Sequence, residues 1–85
     1  MKRVYKYPIP TRKSKFSLLL PEGFKFLRVS FQAEQLQLWA EVMDGAKTIQ
    51  LDFQVFGTGH DIPPGSKYLT TYDDGPFVFH LYQMN

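Results

Sequence analysis

Hydrophobic and polar residues alternate along most of the chain with the period of a β-strand. From Lys47 to Val55, Ile49, Leu51, Phe53 and Val55 take every second place while Thr48, Gln50, Asp52 and Gln54 fill the others, as a half-buried sheet requires. Leu36, Leu38, Ala40 and Val42 alternate in the same way with Gln35, Gln37, Trp39 and Glu41. Asp44 and Gly45 stand between the two segments as turn chemistry and predict that they form a hairpin. Phe16 to Leu20 and Phe24 to Gln32 read as strands separated by Pro21, Glu22 and Gly23, with Glu34 turning the second into the Gln35 strand. Tyr68 to Tyr72 and Pro76 to Tyr82 flank Asp73, Asp74 and Gly75, a further hairpin signal. Val4 to Tyr7 adds a short strand ended by Pro8 and Pro10, which suit a sheet edge because proline cannot donate to the ladder.

About seven short strands joined mostly by tight turns, with no convincing amphipathic helix, predict an all-β fold: a small antiparallel sandwich or partly open barrel spanning residues 1–85 as one domain. A sheet of this size keeps open edges, so pairing into a homodimer is expected. Aromatic residues make up 16% of the chain and must supply much of the core of so short a sequence. Cysteine is absent, which excludes a disulfide framework and a Cys-based zinc site. No apolar run has the length of a signal peptide or a membrane span, so a cytoplasmic protein without membrane contact is expected.

The net charge of +2 hides an asymmetry. Through Arg28 the chain carries Lys2, Arg3, Lys6, Arg12, Lys13, Lys15, Lys25 and Arg28 against Glu22 alone, whereas the remainder sets two lysines against seven acidic residues. Such polarity suits either a basic face for phosphates or pairing of opposite charges across a sheet.

The richest candidate chemistry is Phe56, Gly57, Thr58, Gly59, His60 and Asp61, where the clearest strand runs into a turn. Glycine permits positive φ and close approach of backbone to a ligand, and consecutive amides of such a turn can form an anion-binding nest. His60 suits either a donor to phosphate or a residue that holds its loop. His80 lies in a strand and is read first as packed and hydrogen-bonded. Trp39, among polar neighbours, suits either stacking or a second layer of core, and Tyr82 likewise either stacks a ring or closes a sheet end. No His-Glu-x-x-His spacing, nucleophile elbow or paired carboxylate marks an enzyme, and neither a metal site nor a cofactor is expected. A nucleic-acid partner is disfavoured because the ribonucleoprotein signature and a recognition helix are lacking and the second half is acidic.

Tyr5-Lys6-Tyr7-Pro8, Leu20-Pro21-Glu22-Gly23, Leu38-Trp39-Ala40, Phe56-Gly57-Thr58-Gly59-His60 and Phe79-His80-Leu81-Tyr82, taken in order, resemble a family of small phage and prophage β-proteins. The resemblance covers nearly the whole chain. It implies a setting inside a bacterial host cell and designates no catalytic residue. Residues and setting together give the expected function: capture, without conversion, of a small phosphate-bearing nucleotide such as a host immune signal. In that reading Gly57, Thr58 and Gly59 hold phosphate, His60 and Arg28 add charge-assisted hydrogen bonds, and Trp39 or Tyr82 stacks the base. The alternatives are an inhibitor of a host defence or metabolic protein and a metal-free phosphodiesterase using His60 and His80.

Overall fold

The alternating segments form seven strands, β1 Lys2–Pro8, β2 Lys15–Pro21, β3 Lys25–Gln32, β4 Gln35–Met43, β5 Thr48–Gly57, β6 Lys67–Asp74 and β7 Phe77–Gln83. The computed structural model describes residues 1–10 and 13–85, and Arg12 of the basic amino-terminal third lies outside the described residues. All pairings are antiparallel, in a three-stranded sheet of order β1-β4-β3 and a four-stranded sheet of order β2-β5-β7-β6. The two layers make a small sandwich rather than a closed barrel.

Each sheet turns its apolar positions toward the other. Val29, Leu36, Leu38, Ala40 and Val42 from the three-stranded sheet meet Phe16, Leu20, Leu51, Phe53 and Leu81 from the four-stranded one, all buried. Phe16 and Phe53 stack with ring centres 5.4 Å apart. Ile9, between the two prolines that end β1, plugs the same core, with its amide donating to the Leu36 carbonyl at 2.9 Å. Burial of such side chains contributes about 1.5–3 kcal/mol each, and this is what fixes the strand faces.

Two of the local departures from simple alternation shape the three-stranded sheet. The hairpin expected at Asp44-Gly45 does not form: β4 pairs with β1 and β3, whereas β5 pairs with β2 and β7. The turn is a corner that carries the chain from one layer to the other. It is pinned to β1, since the Arg3 Nε reaches both Asp44 carboxylate oxygens at 3.0 and 2.9 Å and the Asp44 amide donates to the Met1 carbonyl at 3.0 Å. The second departure is a bulge in β3, where Phe26 pairs with Ala40 but Arg28 already pairs with Trp39. Leu27 is the extra residue, and it lets Phe26 and Val29 both face the core while Lys25 and Arg28 both face out.

Candidate functional site

Gly57 ends β5, and the next residues fold into a turn closed by the His60 amide donating to the Gly57 carbonyl at 3.3 Å. Gly59, the third residue of that turn, has φ +91°. This is the type II pattern, which calls for glycine at its third position, so the motif first satisfies a backbone demand. The Gly57 amide donates to His60 Nδ1 at 3.3 Å, and a Cβ on Gly57 would lie only 3.2 Å from His60 Cε1. The missing side chain at Gly57 therefore makes room for the imidazole. With Nδ1 accepting, the neutral ring carries its proton on Nε2.

His60 stands where two clefts meet. One, of about 320 Å³, lies at the end of the sandwich between Pro10, Lys13 and Ser14 on one side and the ends of β5 to β7 on the other, and its polar lining includes Lys13, Ser14, Tyr72 and Asp74. The other, of about 530 Å³, is more apolar and is lined by Pro76, Phe77, Val78 and Phe79 together with Thr58. Gly57, His60 and Phe79 belong to both. Phe79 packs on Phe77 with ring centres 6.0 Å apart and on Tyr72 at 5.8 Å, so an aromatic wall runs from one cleft to the other. Burial, reinforced by the nearby Asp74 carboxylate, pushes the Tyr72 phenol up to about 12. Tyr72 thus presents a protonated donor at neutral pH.

On the outward side of the same sheet, His80 is bound at both ring nitrogens. Thr58 Oγ1 lies 3.0 Å from Nε2 and Thr71 Oγ1 lies 2.9 Å from Nδ1, with the Tyr68 hydroxyl 2.8 Å beyond Thr71. Tyr82 shares this face and meets Phe56 and Tyr68 edge-on, each with centres 5.5 Å apart. Phe56 is buried here outside the main core, a second small apolar cluster on the far side of the sheet.

The model of the family described as Domain of unknown function (DUF7352) matches residues 1–85. The chain belongs to this family. No curated protein and no solved structure matches it, so in this DUF7352 chain the chemistry must be read from the geometry itself.

The fold gathers Gly57, Thr58, Gly59 and His60 into one turn, with the Thr58 hydroxyl and the Gly57 amide already engaged inside the protein. It does not bring Arg28 or Trp39 to them. Those two are cross-strand neighbours on the outward face of the three-stranded sheet, and Tyr82 faces outward from the four-stranded one. Lys13, Tyr72 and Phe79 of this DUF7352 chain were not singled out from the sequence. Tyr72 and Phe79 were placed in strands, and only the approach of Lys13 and Ser14 to the ends of β6 and β7 gives all three a common cleft. Among the described residues, no three His, Asp or Glu side chains gather as a metal site, and no helix is long and apolar enough to cross a membrane.

Proposed function

We propose that the protein is a binding module for a small phosphate-bearing ligand, seated across His60 at the end of the sandwich. The observation that carries this reading is the fixed imidazole at the junction of the two clefts, with Nδ1 held by the Gly57 amide and Nε2 left to donate. Lys13, His60 Nε2 and the Tyr72 hydroxyl supply donors for phosphate on the polar side, and the Phe77–Phe79 wall supplies a flat apolar surface for a base. The Asp74 carboxylate is matched to an amino or sugar hydroxyl group rather than to phosphate. The cleft is in the size range of small-molecule pockets, and the role we assign to it is capture of the ligand rather than its conversion. The likeness to phage and prophage proteins supplies a setting, sequestration of a host signalling nucleotide, and a second copy of the chain would bury more of the ligand than one surface can.

Thermal-shift and calorimetric titration with inorganic phosphate and a panel of mononucleotides and cyclic dinucleotides tests the proposal. A ligand that occupies the cleft raises the melting temperature with concentration by mass action, and Lys13→Ala and His60→Ala each weaken it about tenfold or more without lowering the melting temperature of the free protein. A flat panel, or retention of full affinity in both variants, overturns the assignment. A flat panel with a stable complex to a host polypeptide favours the inhibitor instead.

A further inference from the structure

The outward face of the three-stranded sheet carries a separate arrangement that the His60 clefts do not use. In register, Trp39 on β4 lies between Lys6 on β1 and Arg28 on β3. Glu41, two positions along β4, has Lys25 opposite it and Lys2 with its ammonium 3.5 Å from the carboxylate. Among the described residues of these strands, this face therefore sets Lys2, Lys6, Lys25 and Arg28 against Glu41 alone. The β3 bulge is what puts Lys25 and Arg28 on the same side. Of the other acidic residues in the second half of the sequence, Asp52 lies on β5, Asp73 and Asp74 lie on β6, and Asp44 is bound to Arg3.

The Lys6 ammonium lies 5.7 Å from the centre of the Trp39 ring and donates to Gln32, laying its stem across the face. Gln37, 8% exposed, keeps Oε1 buried without a partner, and Trp39 Nε1 is buried and unpartnered beside it. Orphaned polar atoms of this kind are rare in finished folds, and here a donor and an acceptor occur two residues apart on one strand. An indole flanked by cations is the arrangement on which unpaired bases stack while their phosphates are neutralised.

We infer that this face binds single-stranded nucleic acid. A base takes the place of Lys6 on the Trp39 ring, and Lys6, Lys25 and Arg28 pair with phosphates on either side. Neighbouring strands lie about 4.8 Å apart, which sets Lys6 and Arg28 about 10 Å from one another across the indole. A duplex keeps its base faces stacked on each other and has none to offer Trp39. An acidic polypeptide would meet the cations and leave the indole unused.

Trp39 is the sole tryptophan, so its fluorescence reports this face and not the His60 clefts. Titration of the full chain with an oligothymidylate of about 15 nucleotides should quench the emission saturably. Three phosphate contacts to a single strand give a slope of about −2 for log affinity against log salt. Arg28→Gln and Lys6→Gln should each reduce that slope by about 0.7, and Trp39→Phe should weaken binding, read by anisotropy of labelled oligonucleotide, while His60→Ala leaves it unchanged. Unaltered emission and anisotropy at low salt overturn the inference. So does equal competition by polyglutamate, which would mark an acidic-polypeptide surface, or loss of binding in His60→Ala, which would place the oligonucleotide in the clefts.

Discussion

The Thr58 hydroxyl and the His80 imidazole lie 3.0 Å apart across 22 residues of sequence, joining the glycine turn to the last strand. The far nitrogen of the same ring reaches Thr71, which in turn reaches Tyr68. A hydroxyl expected to hold phosphate thus serves first as a tie between turn and sheet. The ring holds β6 and β7 to the turn by two contacts that close a chain of four residues.

That network has a thermodynamic signature. His80→Leu should destabilise the protein by about 1–2 kcal/mol, the net worth of two partly exposed hydrogen bonds. Adding Thr58→Val and Thr71→Val to His80→Leu should cost much less than the sum of the single changes, because the three side chains share the same bonds. Urea melts of the four proteins measure this. Strict additivity would show that the three residues act independently.

The two glycines of the turn should separate folding from binding. Gly59 has φ +91° and open space where a Cβ would go, so Gly59→Ala brings backbone strain and no clash. It should cost about 1–2 kcal/mol of stability. Gly57 is not in the left-handed region, but a Cβ there would crowd the His60 ring at 3.2 Å. Gly57→Ala should leave stability level or slightly raised, by up to about 1 kcal/mol, while it unseats His60 and weakens the phosphate-bearing ligand. Melting curves and the calorimetric titration on the same two proteins decide the matter. A Gly57→Ala protein that binds as wild type would detach the imidazole from the site.

Tyr72 predicts a pH dependence. Its phenol is raised from 10 to about 12, by burial first and by Asp74 second. Folding therefore favours the protonated phenol, and the stability tied to it is complete below pH 10 and is lost as pH climbs from 10 toward 12, where the unfolded chain ionises and the folded one resists. Half-exposure weakens the effect, so the sign and the window are the expectation. Phenolate absorbance should show a late-titrating class that disappears in Tyr72→Phe, and that variant should lose stability less steeply over the same window. A titration curve unchanged by Tyr72→Phe would contradict the burial argument.

What the sequence disclosed follows from how local each cause is. The faces of β4 and β5 were legible because Leu36 to Val42 and Ile49 to Val55 keep a strict period of two, and the edge position of β1 because Pro8 and Pro10 forbid a second ladder. The layer assignment was not. Asp44-Gly45 specifies a reversal of direction, and whether the chain returns beside β4 or crosses to the other sheet depends on pairings with β1 and β2 that lie far away in sequence. The same limit governs the candidate site. Gly57 and His60 are three residues apart and meet through a local turn, whereas Arg28 and Trp39 sit on strands whose layer is set by distant pairings, and Trp39 read either as a stacking ring or as a second layer of core. In β3 the alternation changes phase between Phe26 and Val29, and that slip was the available sign of a bulge.

The bulge makes a prediction of its own, testable with two single-residue deletions. Leu27 is the inserted residue and is exposed, so removing it joins Phe26 to Arg28 in a strand that alternates without interruption: Lys25 and Arg28 stay outside, Phe26 and Val29 stay inside. The cost should be about 1–2 kcal/mol, from lost local twist and contacts. Removing Ser30 instead, with the β3–β4 turn as anchor, shifts the rest of β3 by one place against β4. A one-residue shift exchanges the faces, turning the buried Val29 to solvent and driving Arg28 toward Leu36, Leu38 and Ala40. An unpaired guanidinium in that layer should cost more than about 4 kcal/mol, a large share of the stability of a chain of this size. Circular dichroism melts of the two deletion proteins distinguish the outcomes, and equal destabilisation would mean that Leu27 does structural work that its exposed position in β3 conceals.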